Sequence, residues 1–468
     1  MATSSGLGGG APVGAADNGD GGRLLCGAGL VPATADGRSN WVGGVVMTFT
    51  RDAPCSDPIP SSALTLLRAA AAGNPDTWNL TDLGWLYAIL IALVTAVAAW
   101  ACTARRWWSP VVLLAPLAPL ASPTFTRFFL STYSEPAGLL GAYTLLAGVA
   151  ALAVTSQRAR DARLVAVALT AAGAFTAGTA KVAYLPLLVV GVAVCATATV
   201  LVSRRRKMLN LLPGVAVAAG LGIAALAPTH AALSWQSRDY PAVNAHNLIF
   251  TTLLPEVGAG AASQVGLPVE AAAHAGRGFY GPSGAPLDPD SVPGWRGAVG
   301  DDPGVAQQAA QRALLSHPDA FLTAVGVAMQ ATRGADVDYL QSGPVPAGTA
   351  GPLQIIDSPQ MGKDVAWMRA WLGSMPAPWL SSLLAVLGLL VGAAGLRTGG
   401  ALAGFTRLAG VASAAATGLA VLTVLGDGYY EIAKHMWPAA YLLVVVAMSS
   451  VGAGVVLLGR GIRRRTEK

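Results

Sequence analysis

Nine apolar runs set the terms on which this chain can fold. They lie at roughly 83–103, 109–122, 136–155, 164–178, 182–202, 210–229, 379–396, 405–425 and 437–459. A helix needs about 20 apolar residues to cross the hydrocarbon of a bilayer. Two runs, 109–122 and 164–178, fall short of that and are read as tilted, extended by their flanks or broken. Pro110, Pro116 and Pro119 make the second run irregular, so buried packing must re-satisfy the carbonyls they free. The expected fold class is an all-α polytopic membrane protein with about nine transmembrane or half-spanning helices. Composition agrees, with only 12% charged residues against roughly 25% in soluble domains.

Charge placement gives an orientation. When each run is counted as a span, Arg105-Arg106, Arg158/Arg160/Arg163, Arg204-Arg205-Arg206-Lys207, Arg397, and Arg460 with Arg463-Arg464-Arg465 fall on one side. By the positive-inside rule that side is cytoplasmic. The net charge of +6 is then an orientation signal; the partner is the lipid bilayer, and no nucleic acid is expected. Trp107-Trp108 beside Arg105-Arg106 reads as an interfacial belt. The expected location is the cytoplasmic (inner) membrane, multi-pass, with the main loops outside. Residues 1–82 form an extracytoplasmic first segment and 83–229 the first six spans. Residues 230–378 form a large, partly helical extracytoplasmic loop, 379–459 the last three spans, and 460–468 a basic cytoplasmic tail. No signal peptide is visible at Met1–Gly10, so either residues 1–82 cross the membrane unaided or a leading helix, missing from this sequence, carries them across; the leading helix is the expectation.

Local signals add detail. Trp41 to Phe49 could form a short strand or apolar cover on the membrane surface. Asn79-Leu80-Thr81-Asp82 offers caps for the first span. Asp302-Pro303 and His317-Pro318 open helices in the long loop, and Arg333-Gly334 closes the second. Cys26 and Cys55 fall in the same external segment, where a disulfide is expected, the alternative being two free thiols. Such a crosslink contributes on the order of 3 kcal/mol in the chain-entropy model. His230, His246, His274 and His317 are scattered, without metal-site spacing.

The polar residues of interest converge on the predicted outer side. Asp17, Asp20 and Arg23 precede the first span. Arg127, Tyr133 and Glu135 lie between the second and third, and Lys181 and Tyr184 between the fourth and fifth. Asp427, Glu431, Lys434 and His435 precede the last span and would share one face if that stretch were helical. Ionisable groups near membrane depth cost roughly 2.5–3.5 kcal/mol each on the insertion scale, so they are usually paired or functional. The alternative is interfacial anchoring and snorkelling, residue by residue. As a set, a carboxylate and several cations suit group transfer from a lipid-linked donor. The carboxylate acts as general base on an acceptor hydroxyl, and the cations stabilise the leaving phosphate. Neither a P-loop nor a GxGxxG between strand and helix is present, which argues against ATP-driven transport and Rossmann-type nucleotide-sugar chemistry.

Four strings carry a family resemblance: Asn18-Gly19-Asp20-Gly21-Gly22-Arg23, Tyr133-Ser134-Glu135-Pro136, Ala180-Lys181, and Gly426-Asp427-Gly428 with Lys434-His435. With an acidic segment ahead of the helix bundle and a long late loop, the chain resembles the GT-C superclass of polyprenyl-phosphate-sugar-dependent glycosyltransferases. The resemblance implies Asp20 as the catalytic acid of the first external loop. It implies Arg127, Lys181 and Lys434 as candidates for the donor phosphate, with Asp17, Arg23, Tyr133, Glu135, Asp427, Glu431 and His435 lining the site. It also implies a polyprenyl-phosphate sugar as donor and a cell-envelope glycan or lipid as acceptor. No metal ligand is assigned, and a divalent-cation requirement is left open. The chain departs from the family in lacking a helix ahead of the acidic segment. Two other classes compete: a secondary transporter or lipid-linked-glycan flippase, with polar groups at the midplane of broken helices, and a non-catalytic membrane scaffold.

Overall fold

The computed structural model describes residues 4–15, 20–33, 44–73, 76–281, 285–334, 342–345, 353–354 and 364–466. Among them, seven helices are long and apolar enough to cross a membrane: Leu80–Thr103, Glu135–Val154, Arg160–Ala180, Met208–Asp239, Leu380–Arg397, Ala401–Gly426 and Trp437–Arg460. An eighth span is counted if the pair Ser109–Ala121 and Pro123–Leu130, bent by 77°, is one crossing. The shorter apolar helix Val182–Thr197 accounts for the fifth run, the one run left over.

Each departure from a simple span has a local cause. The run at 164–178 becomes a 21-residue helix because Arg160–Arg163 and Thr179–Ala180 extend it. The second run breaks at Ser122, whose hydroxyl accepts from the Thr124 amide (3.3 Å), with Pro123 opening the next turn. Carbonyls beside the break find side-chain donors on the last span. The Tyr441 hydroxyl donates to the Pro116 carbonyl (2.8 Å) and the Trp437 indole to that of Thr124 (2.9 Å), as irregular backbone at membrane depth requires. Asn79 caps the first span through the Thr81 amide (3.0 Å). That span exposes Trp85, Ile89, Leu93 and Val97, a stripe of period four that faces outward.

Glu135–Val154 is buried on every side, consistent with its apolar residues all round. It packs on Arg160–Ala180 closely enough that only glycine fits at the crossings. A Cβ on Gly141 would lie 2.3 Å from the Ala177 amide nitrogen, and one on Gly173 2.2 Å from that of Leu145. This approach sets the start of one helix beside the end of the other, and so Glu135 beside Lys181.

The N-terminal segment and the long loop close over one end of the bundle together. Strand Val13–Ala15 pairs antiparallel with Ser342–Pro344, and Gly44–Val45 with Leu353–Gln354. A third sheet joins Leu30–Pro32, Thr48–Arg51 and Thr77–Asn79. The strand read at Trp41 to Phe49 is thus two short strands, and 41–43 lie outside the described residues. Cys26 and Cys55 form a disulfide with Cα atoms 5.3 Å apart. In the long loop, Pro303–Leu315 is capped by Asp302 on the Val305 amide (3.0 Å), and Pro318–Ala331 ends in a 3-10 turn at Thr332–Gly334. Gln307 and Gln311 donate to the carbonyls of Gly426 (3.0 Å) and Leu425 (2.9 Å), which satisfies orphan acceptors at the end of the Ala401–Gly426 span. The sixth span runs on to Asp239, beyond the apolar run that marks it.

Candidate functional site

The site lies where five chain segments meet at that closed end. Asp20 sits on the turn that opens the short helix Gly22–Ala28. One turn on, Arg23 donates to Asp20 Oδ1 at 2.7 Å. The other carboxylate oxygen accepts from Lys434, 414 positions away in sequence. Lys434 Nζ also lies 3.3 Å from Glu431 Oε2 and 5.1 Å from the centroid of the Tyr133 ring. Lys181 donates to Glu135 Oε1 at 2.9 Å. Arg23 stacks on Tyr240 at 4.3 Å, bringing in the end of the sixth span.

The result is an alternating set of three carboxylates, Asp20, Glu135 and Glu431, and three cations, Arg23, Lys181 and Lys434. Burial differs within it: the Lys434 and Glu135 side chains are 0% and 1% exposed, whereas Asp20 keeps 24%. Asp20 is therefore the acid that a ligand can reach. Its burial pushes its pKa up, but Arg23, then Lys434 and Lys181, outweigh that and hold it well below the usual carboxylate range. Lys434 is the converse: burial opposes its charge, and Asp20, Glu431 and Glu135 hold it protonated far above the usual ammonium range.

The segment before the last span corrects the expectation of one helical face. Residues 427–431 are turns, and only Ile432–His435 is helical. Gly428 has φ +61°, and a Cβ there would lie 2.5 Å from the Thr252 hydroxyl and 2.7 Å from that of Thr251. Glu431 takes a left-handed φ of +46°, which costs roughly 1–2 kcal/mol for a residue with a Cβ. Strain of this kind clusters at functional sites; here it turns the Glu431 carboxylate back onto Lys434. The four residues are gathered by this turn in two pairs. His435 Nε2 lies 3.3 Å from Asp427 Oδ2, and Asp427 Oδ1 also accepts from Asn247 (2.7 Å).

The remaining expected residues divide. Tyr133, Glu135 and Lys181 are in the cluster. Arg127 stacks on Phe128 (5.1 Å), whose ring packs against Tyr133 and Trp437, so it belongs to the aromatic wall beneath Lys434. Asp17 lies outside the described residues. The Tyr184 hydroxyl is buried without a hydrogen-bond partner. Among the described residues no three His, Cys, Asp or Glu side chains converge as metal ligands. His246 is a core residue: the Trp295 indole donates to its Nδ1 (3.0 Å), so its Nε2 carries the proton toward the Arg277 carbonyl (3.1 Å). Sequence reasoning missed Tyr240 and Asn247, and also Glu256, which accepts from Tyr429 and Arg369, both at 2.9 Å. A Tyr after an Asp in a polar stretch at a span end was the one signal available for Tyr240.

Comparison with known proteins now places the chain. The family model of the YfdI N-terminal transmembrane domain matches residues 10–292. The chain belongs to that family. No curated protein and no solved structure matches it. The stretch shared with the YfdI domain holds Asp20, Arg23, Tyr133, Glu135, Lys181 and Tyr240, whereas Asp427 to His435 come from the part beyond it. In this YfdI-domain protein the cluster is therefore completed only when the C-terminal spans pack onto the matched ones.

Proposed function

We propose that this protein is an integral membrane glycosyltransferase of GT-C type, which moves a sugar from a polyprenyl-phosphate donor to a cell-envelope acceptor at the outer face of the membrane. The observation that carries this is one accessible carboxylate, Asp20, held against Arg23 and the buried Lys434 at the end of a membrane bundle. In the reaction, the Asp20 carboxylate takes the proton of an acceptor hydroxyl. The acceptor oxygen bonds to the anomeric carbon, and the bond from that carbon to the phosphate oxygen breaks with its electron pair. The departing polyprenyl phosphate gains one negative charge, which Lys181, 21% exposed, is placed to meet directly and the buried Lys434 stabilises from behind Asp20. Arrival of the donor phosphate beside Arg23, which keeps 31% exposure, would also loosen the ion pair that suppresses Asp20 as a base. The base is then strengthened only when donor is bound. The resemblance of the four polar strings to GT-C enzymes supports the same reading.

The titratable groups stand at span ends: Glu135 is the first residue of its helix and Lys181 follows Ala180 directly. That supports an interfacial enzyme over a transporter, whose polar groups belong near the midplane. The test is transfer from a synthetic polyprenyl-phosphate sugar by the purified protein in lipid nanodiscs. Asp20→Asn is expected to lower turnover by about 10²–10⁴-fold, the usual contribution of a general base, and full activity in this variant would sink the assignment.

A further inference from the structure

A second site stands at the other end of the bundle. The Ala401–Gly426 span of 26 residues runs from it to the Asp427 turn, a rise of about 39 Å. Three span ends leave a cavity of about 400 Å³ between them, within the roughly 300–1,000 Å³ of small-molecule sites. Arg105 and Arg106 come from the end of the first span, Gly399 and Gly400 from the turn before Ala401, and Arg460 from the end of the last span. Trp108 closes one side, 5.8 Å beneath the Arg106 guanidinium.

Two features make this a built site. None of the described residues lining it is acidic, and Arg105, Arg106 and Arg460 have no described carboxylate partner; Arg460 makes one long contact, 3.4 Å, to the Gly399 carbonyl. Like charges brought together repel unless an anion sits among them. The turn that carries one wall is also fixed: Gly400 takes a left-handed φ of +73°, a conformation that favours glycine. The rim, by contrast, is apolar. Trp107, Leu396 and Leu458, each one to three positions from a lining residue, are 85%, 69% and 70% exposed, as side chains beside acyl chains would be.

We infer that this cavity binds the phosphate of an anionic lipid headgroup in the leaflet opposite the Asp20 site. Guanidinium forks match phosphate oxygens in pairs, and basic pockets between span ends suit such headgroups. The exposed apolar rim favours a lipid over free phosphate, because acyl chains have a surface to follow.

The experiment uses the full chain in nanodiscs of phosphatidylcholine doped with phosphatidylglycerol, with retained lipid read by native mass spectrometry. Phosphatidylglycerol should be retained over phosphatidylcholine. The triple variant Arg105→Gln, Arg106→Gln, Arg460→Gln should lower that preference by about tenfold or more. Arg204→Gln with Arg205→Gln, on the same side but outside the cavity, should leave it unchanged. The triple Arg→Lys variant should keep most of the preference, which separates loss of charge from loss of fold. Equal retention of both lipids, an unaltered Gln triple, or an equal loss in the Arg204/Arg205 control would overturn the inference. So would displacement of the lipid by millimolar inorganic phosphate, which would make the ligand a free anion.

Discussion

Lys434 is the residue whose removal should be felt most. Its ammonium is fully buried and contacts two carboxylates, Asp20 and Glu431. Lys434→Met keeps much of the volume and removes the charge, leaving Glu431 (8% exposed) and Asp20 (24% exposed) without it. Removing one partner of a buried pair costs about 3–5 kcal/mol. Asp20 retains Arg23 and some solvent, so the lower end, about 3 kcal/mol, applies here. Asp20 is the depressed-pKa case. Its contribution to stability is present above the unfolded value near 4 and is lost as pH falls through its lower folded value. Lys434→Met raises that folded value and narrows the difference. The assay is thermal unfolding in detergent from pH 3 to 8. The variant should melt at least about 3 °C lower at pH 7, with the gap to wild type shrinking at the acid end. Adding Glu431→Gln should recover part of the loss by neutralising one of the two carboxylates that Lys434 balanced. An unchanged melting temperature at pH 7, or a gap independent of pH, would refute the ion-pair reasoning.

Two further outcomes follow from single sites. Gly428→Ala adds a Cβ 2.5 Å from the Thr252 hydroxyl at a φ of +61°, so it should lower both melting temperature and transfer activity, whereas Gly8→Ala, in open space, should change neither. His246 has its pKa lowered to about 4, chiefly by burial. Its contribution is full above the unfolded value near 6.5 and lost as pH falls toward 4, by about 3 kcal/mol. His246→Gln should flatten the pH dependence of the melting temperature between pH 6.5 and 4, and an unaltered slope would contradict this.

The membrane architecture was legible because hydropathy over 20 residues is a coarse, local signal. All nine runs are helices, and the proline-rich second run is bent as its composition implied. The caps at Asn79 and Asp302 and the Cys26–Cys55 pairing were also readable, since each depends on near neighbours or a shared segment. The site was legible in content and not in connection. Asp20, Lys181 and Lys434 could be nominated, but the pairing of Asp20 with Lys434 is set by tertiary packing alone. The stretch from Asp427 to His435 misled because helical spacing fitted it, while Gly428 and the left-handed Glu431 turn the chain instead. Gln307 and Gln311 gave no sign of capping a span more than a hundred positions away.

A lipid-borne donor can use the Asp20 cluster as proposed only if that end of the bundle faces outward. Single cysteines at Gly8 and Asp301, both exposed at the Asp20 end, and at Met208, exposed at the other, test this in a background with Cys102 and Cys195 replaced. A membrane-impermeant maleimide applied to intact cells is predicted to label Gly8→Cys and Asp301→Cys, and to reach Met208→Cys only after permeabilisation. Labelling of Met208→Cys in intact cells, with Gly8→Cys and Asp301→Cys protected, would place the cluster in the cytosol and contradict the account.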